Sequence, residues 1–138
     1  MRVMRCIMTR TESREQAFIL LFEYSFSPDT ADDLFAVAAE AGLYVADAYC
    51  RSVVEQAFES VAEIDAVISE YLKGWKLERI SKVSLAALRL AIAEIMFFPD
   101  IPDSVSANEA IELIKKYATD QDASFANGIL GSYIRSRV

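Results

Sequence analysis

The feature that most constrains the fold is one segment, residues 81–98, that is apolar on nearly every face of a helix. Its apolar residues are Val83, Leu85, Ala86, Leu88, Leu90, Ala91, Ile92 and Ile95. Arg89 and Glu94 interrupt them. Because such a helix has no face suited to water, the segment predicts a central buried helix around which the rest of the chain packs.

The other segments also have helical periodicity, with apolar residues at spacings of three and four. Thr30 is placed to cap one helix, and Gly42 and Gly74 are placed to end others. Ser106 and Glu109 form an S-x-x-E pattern, which predicts a capping box at a helix start. No alternating strand pattern is present. The predicted helices cover residues 12–26, 30–41, 45–61, 64–72, 81–98, 106–117 and 124–135.

The chain has 138 residues, a length that suits one compact domain. Its composition changes near Gly74, where an acidic half gives way to a more balanced one. The sequence therefore predicts an all-α fold, a single domain over 1–138. We expect about seven helices in two packed bundles, the first over about 10–62 and the second over about 63–138.

Several function classes are disfavoured by what the sequence lacks. There is no histidine, the side chain most used for proton transfer and metal binding. No nucleophile elbow, P-loop or dinucleotide-binding glycine pattern is found. The two cysteines form no CxxC pair, and no apolar run is long enough for a signal peptide or membrane span. We therefore expect a non-enzymatic, cytoplasmic protein without metal, cofactor or membrane contact.

The formal net charge of -7 is unusual for a nucleic-acid-binding protein, but the charge is unevenly distributed. Residues 29–70 contain ten acidic side chains and one basic side chain, Arg51. Residues 1–28 and 71–138 each have one more basic residue than acidic residues. The net negative charge therefore lies in the middle of the chain.

Two stretches resemble the NusB family. The first is YLKGWKLERI at 71–80, followed by Val83, by LRLA at 88–91 and by Glu94. The second runs from Asp100 to Leu130 and includes NEAIEL at 108–113 and FANGIL at 125–130. A weaker match lies in the first helix, where REQA at 14–17 precedes Leu21 and Phe22. The resemblance implies two helical bundles and no enzymatic activity.

The resemblance also implies a function in transcription antitermination. It implies binding to boxA-type single-stranded RNA of ribosomal RNA operons together with the ribosomal small-subunit protein NusE. Other antitermination factors and RNA polymerase are further implied partners. The alternative is a helical protein-interaction module of the same fold with little or no RNA binding, which the acidic segment and the few basic residues of the first helix favour.

The RNA-binding residues implied by the resemblance are Arg10, Arg14, Lys115, Lys116, Gln121 and Phe125. All of them except Gln121 have a simpler interpretation. Arg10 and Arg14 can be ordinary solvated charges, since Thr11, Glu12 and Ser13 stand where the family often has further basic residues. Lys115 and Lys116 can complement the dipole of a helix end. Phe125 can be a core residue instead of a ring that stacks on an unpaired base.

The partner-binding residues implied by the resemblance are Phe22 and Ser84. The family frequently has a tyrosine at the first position and an acidic residue at the second. The tyrosine hydroxyl and the carboxylate are therefore both missing here. Trp75 and Arg79 are interpreted as structural. We expect the indole of Trp75 to cover the seam between the two bundles, because large aromatic side chains usually bury apolar area, and we expect Arg79 to pair locally.

Overall fold

The structure is a computed structural model and describes residues 9–26, 33 and 48–137. Within these ranges it has six α-helices, one 3-10 helix at Leu77–Arg79 and no β-strand, which confirms the all-α class. The predicted helix at 30–41 lies outside the described residues except for Asp33, which is helical. The helices are α1 Arg10–Phe26, α2 Ala48–Glu59, α3 Val61–Glu70, α4 Lys82–Phe97, α5 Asp103–Tyr117 and α6 Asp120–Ser136.

Helix α4 is the central element, as its apolar sequence predicts. Among the described residues, it packs against all five of the other helices. Every residue from Ser84 to Ile95 is buried, and one hydrophobic cluster includes side chains from all six helices. The side chain of Ser81 caps α4 by accepting a hydrogen bond from the Ser84 N–H (3.1 Å). The division into two bundles near residue 62 stays a prediction, since α4 packs against helices on both sides of that boundary.

Helix α1 begins earlier than its periodicity predicts. The Thr9 N–H donates to Glu12 Oε1 (2.8 Å), and the Glu12 N–H donates to Thr9 Oγ1 (3.1 Å). These reciprocal bonds form a capping box and satisfy two amides that the first turn leaves without partners. The helix therefore includes Arg10, and the T-x-x-E pattern was the sequence signal for this start.

The predicted starts of α5 and α6 are both wrong by about one turn. Helix α5 begins at Asp103, directly after Pro102, and Ser106 lies inside it, where its hydroxyl bonds a buried carboxylate instead of capping the helix. Helix α6 begins at Asp120, because the Thr119 hydroxyl accepts from the Asp122 N–H (3.0 Å). Residues 120–123, which precede the predicted helix at 124–135, therefore form the first turn of α6.

The connection between α3 and α4 contains a tight turn. Lys73 and Gly74 both have positive φ, 46° and 92°. A left-handed conformation costs little for glycine and more for lysine, so Gly74 is the residue that suits this turn. The chain then leaves α3 abruptly and places Trp75 at the surface with 58% of its area exposed. No helix of the described ranges is long and apolar enough to cross a bilayer.

Candidate nucleic-acid and partner interface

Arg14 is buried and does not lie on the surface. Only 5% of the residue is exposed. Its Nε donates to Glu94 Oε2 at 2.7 Å, and its Nη1 lies 3.7 Å from Glu109 Oε1. This guanidinium holds α1 against α4 and α5 and is not available to an RNA phosphate. We therefore leave Arg14 out of the proposed RNA surface.

Glu94 is the acceptor at the centre of this buried cluster and is 1% exposed. Besides Arg14, it accepts hydrogen bonds from the Tyr49 hydroxyl and from Ser106 Oγ, the latter at 2.7 Å. Burial, and then the bond to Glu94, raise the pKa of Tyr49 well above its usual value. The cluster thus joins α1, α2, α4 and α5 through one carboxylate, and each of its donors is neutral or positively charged.

Arg10, one turn before Arg14, is exposed. Its guanidinium carbon lies 3.9 Å from the centre of the Tyr49 ring, a cation–π contact that limits where the side chain can lie. Both residues line an open pocket of about 410 Å³ together with Phe98, Asp100 and Ile101. Arg10 is therefore an oriented cation at the end of the molecule where α4 finishes, and it remains a candidate phosphate contact.

Lys115 and Lys116 lie in the last turn of α5 and are both exposed. Lys116 Nζ donates to Glu15 Oε2 at 2.7 Å, and the Tyr117 hydroxyl donates to the same oxygen. The hydrogen bonds from Lys116 and Tyr117 lower the pKa of Glu15, and the bond to Glu15 raises the pKa of Lys116. Lys116 is thus partly neutralised by α1. Lys115 lies 3.7 Å from Glu112, a weaker exposed pair.

Gln121 and Phe125 lie on the first two turns of α6 and line one pocket of about 330 Å³ with Ser84. The structure therefore brings two candidate RNA residues and one candidate partner residue to the same place. This place is at the start of α4, whereas Arg10 lies near its end. Since α4 has 16 residues, the two regions are separated by roughly 20 Å along the helix.

Phe22 is half-buried in a row of aromatic rings along α1. Its ring centre lies 6.5 Å from that of Phe18 and 5.0 Å from that of Phe26, which is 63% exposed. The ammonium of Lys82 lies 5.9 Å from the Phe26 ring centre. The candidate partner residues Phe22 and Ser84 are therefore at the same end of α4, where α1 ends.

Trp75 does not cover a seam inside the domain, which corrects the sequence-based interpretation. Its exposed indole lies edge-on to Phe125, with ring centres 6.2 Å apart. Arg79 is also exposed, and within the described ranges it forms no ion pair at 4.0 Å or less. Both line the pocket that contains Gln121. The sequence signal was that Trp75 follows a turn and lies outside every apolar helical stripe.

Comparisons with known proteins agree with the resemblance. The sequence profile of the NusB family matches residues 11–135. A transcription antitermination protein NusB of Natranaerobius thermophilus is 42% identical over 128 residues, covering 89% of this chain and 92% of that relative. A structure of antitermination factors NusB and NusE in complex with double-stranded RNA has a TM-score of 0.80 at 28% identity, covering 92% of this chain and 96% of that one.

A second solved structure, NusB of T. maritima, has a TM-score of 0.79 at 33% identity. The match covers 94% of this chain and 93% of the T. maritima chain. These matches extend over both the region of strong motifs, from about residue 64, and the region of weak ones. The chain therefore belongs to the NusB family.

Proposed function

We propose that this protein is a transcription antitermination factor that binds boxA-type single-stranded RNA of ribosomal RNA operons together with NusE. It acts in the cytoplasm with other antitermination factors and RNA polymerase. The observation that carries the proposal is the fold shared, over 92% of the chain, with a structure that contains NusB, NusE and RNA. The pocket that contains Gln121, Phe125 and Ser84 supports it, because RNA and partner candidates meet there.

The RNA contacts that the resemblance implies for the chain alone are few. Arg10, Lys115 and Lys116 are exposed cations, but Lys116 is bonded to Glu15 and Arg14 is buried. Each phosphate neutralised on a single strand contributes about 0.7 to the slope of log affinity against log salt. We expect two or three such contacts from this set and hence a shallow slope. The acidic segment at 29–70 adds repulsion that physiological salt screens beyond about 8 Å.

We therefore expect weak RNA binding by the chain alone and tight binding by its complex with NusE. Gel shifts of a boxA-type single strand, with the chain, with NusE and with both, measure this difference. A shift that requires both proteins supports the function. If the two proteins co-purify but never shift the RNA, the chain is a protein-interaction module of the NusB fold. If they fail to associate, the proposed partner is wrong.

The structure separates the expected effects of the two arginines in α1. Arg10→Ala removes an exposed cation, so we expect weaker RNA binding by the complex for every sequence and a salt slope flattened by about 0.7. Arg14→Ala removes the cation that faces Glu94, so we expect a large loss of folding stability. RNA gel shifts at several salt concentrations and urea unfolding measure the two effects.

Arg51→Gln is the matched control, because Arg51 is an exposed arginine paired with Glu55 on α2. It should change neither RNA affinity nor stability by a measurable amount. The assignment of Arg10 is contradicted by an Arg10→Ala complex that keeps the wild-type affinity and slope. A stable Arg14→Ala variant that loses RNA affinity would instead return Arg14 to the RNA surface.

A further inference from the structure

We propose that the surface around Trp75 is a stacking site for an unpaired base of single-stranded RNA, with nearby lysine and arginine side chains contacting its phosphates. The inference rests on the proposed RNA-binding function and adds to it Trp75, a residue for which the sequence predicts only a structural role. We call this surface the Trp75 platform. It consists of Trp75, Phe125, Lys73, Lys76, Arg79 and Arg135.

The aromatic part of the platform is exposed and held in place. Trp75 follows the turn formed by Lys73 and Gly74, which both have positive φ. The backbone N–H of Trp75 donates to the Leu72 carbonyl (3.2 Å). Phe125, partly buried on α6, contacts the indole edge-on. The indole is thus in contact with one neighbouring ring while more than half of the residue stays exposed to solvent. Because exposing an indole to water is unfavourable, such a ring is suited to cover a flat π-system.

The charge around the ring favours an anion. Three shallow pockets meet at Trp75, and their walls include Lys73, Lys76, Arg79 and Arg135. All four cations are exposed, and Asp122 is the acidic residue in those walls. In the described parts of the chain, none of the four forms an ion pair at 4.0 Å or less. A positive surface on a chain with net charge -7 suits a polyanion.

A polar group at the rim of the platform also lacks a partner. Ser84 is 1% exposed and lines the pocket that contains Trp75 and Gln121. Its hydroxyl is the buried side-chain oxygen that, within the described ranges, makes no hydrogen bond. A buried hydroxyl without a partner costs free energy, and a base edge or a ribose hydroxyl can supply that partner. The exposed Gln121 lines the same pocket and supplies an amide donor and acceptor.

Stacking, several phosphate contacts and a free hydroxyl together favour single-stranded RNA as the occupant. Alanine replacement of an aromatic platform costs about 1–3 kcal/mol per stacked base. For Trp75→Ala, this corresponds to an affinity about 5- to 150-fold lower. Trp75→Phe keeps a ring and should lose less. The variants should fold normally, because most of the indole is in solvent, and thermal unfolding checks this.

The chain has one tryptophan, so indole fluorescence reports on the platform directly. We expect an unstructured oligouridine strand to quench this fluorescence saturably in the wild-type complex with NusE. RNA anisotropy with Trp75→Ala and Trp75→Phe measures the loss of affinity. Val105→Ala is the control, because Val105 is also exposed but lies at the start of α5, near the opposite end of α4.

The outcomes separate the platform from the proposed function. If the Trp75→Ala complex binds RNA as tightly as the wild type and RNA does not quench the indole, the platform is refuted while RNA binding stands. If NusE alone changes the fluorescence and RNA adds no further change, the surface is a protein-docking site and the inference is wrong. If the wild-type complex binds no single strand, the proposed function fails and the platform fails with it.

Discussion

Glu94→Ala is expected to lower the free energy of unfolding by about 3–5 kcal/mol, because it leaves the Arg14 guanidinium buried without its main counter-charge. The variant also removes the acceptor for the hydroxyls of Tyr49 and Ser106. A buried donor without a partner adds its own desolvation cost. Urea unfolding followed by circular dichroism measures the change, and we expect a lower midpoint with a similar slope.

Two further variants test the cause of this loss. The double variant Arg14→Met with Glu94→Met removes both charges, so it should recover part of the stability lost in Glu94→Ala. The recovery is incomplete because Tyr49 and Ser106 still lack an acceptor. Glu55→Ala breaks the exposed pair with Arg51 and should change stability by about 0–1 kcal/mol. A double variant no more stable than Glu94→Ala would show that the buried charge is not the main cost.

The buried position of Arg14 could have been predicted from the sequence. Arg14, Ala17, Phe18 and Leu21 follow the spacing i, i+3, i+4, i+7, so Arg14 continues the apolar stripe of α1. Glu94 lies in a helix that is apolar all round, and a buried carboxylate requires a donor. The resemblance placed Arg14 on the RNA side instead. Periodicity was the better guide to Arg14.

The starts of α5 and α6 were harder to predict because several residues near each start can cap a helix. Ser106 with Glu109 matches a capping box, but the Ser106 hydroxyl makes a tertiary bond to Glu94. For α6, Thr119 and Ser124 are both suitable caps, and the structure uses Thr119. Local patterns cannot decide between such caps, since the choice depends on which helix start allows the apolar side chains to reach α4.

The exposure of Trp75 could not be predicted from composition. Indole rings usually bury a large apolar area, and this general preference favours an interior position. The surface position depends on the turn at Lys73 and Gly74 and on the place of Phe125 on α6. The first is visible as a glycine at the end of α3, but the second requires the tertiary structure. A candidate site that spans two distant segments is therefore only partly visible in the sequence.

Leu88→Ala and Ile92→Ala are each expected to lower the free energy of unfolding by about 2–5 kcal/mol. Both side chains are completely buried in α4, so each truncation removes packing and leaves a cavity. Val105→Ala, at an exposed apolar residue, should change the stability by less than about 0.5 kcal/mol. Urea unfolding of all three variants provides the comparison. If Leu88→Ala and Ile92→Ala leave the free energy of unfolding unchanged within experimental error, α4 does not lie at the centre of the fold.

The same variants show whether the described helices unfold as one unit. Because α4 packs against all five other helices, a cavity in it should weaken every interface of the core together. Helix content by circular dichroism and Trp75 fluorescence should then give unfolding curves that coincide in the wild type and in Leu88→Ala. If the Trp75 signal changes at a lower urea concentration than the helix signal, the segment between α3 and α4 loosens before the core unfolds. A first helical transition that leaves the Trp75 signal unchanged would instead indicate two bundles that unfold separately.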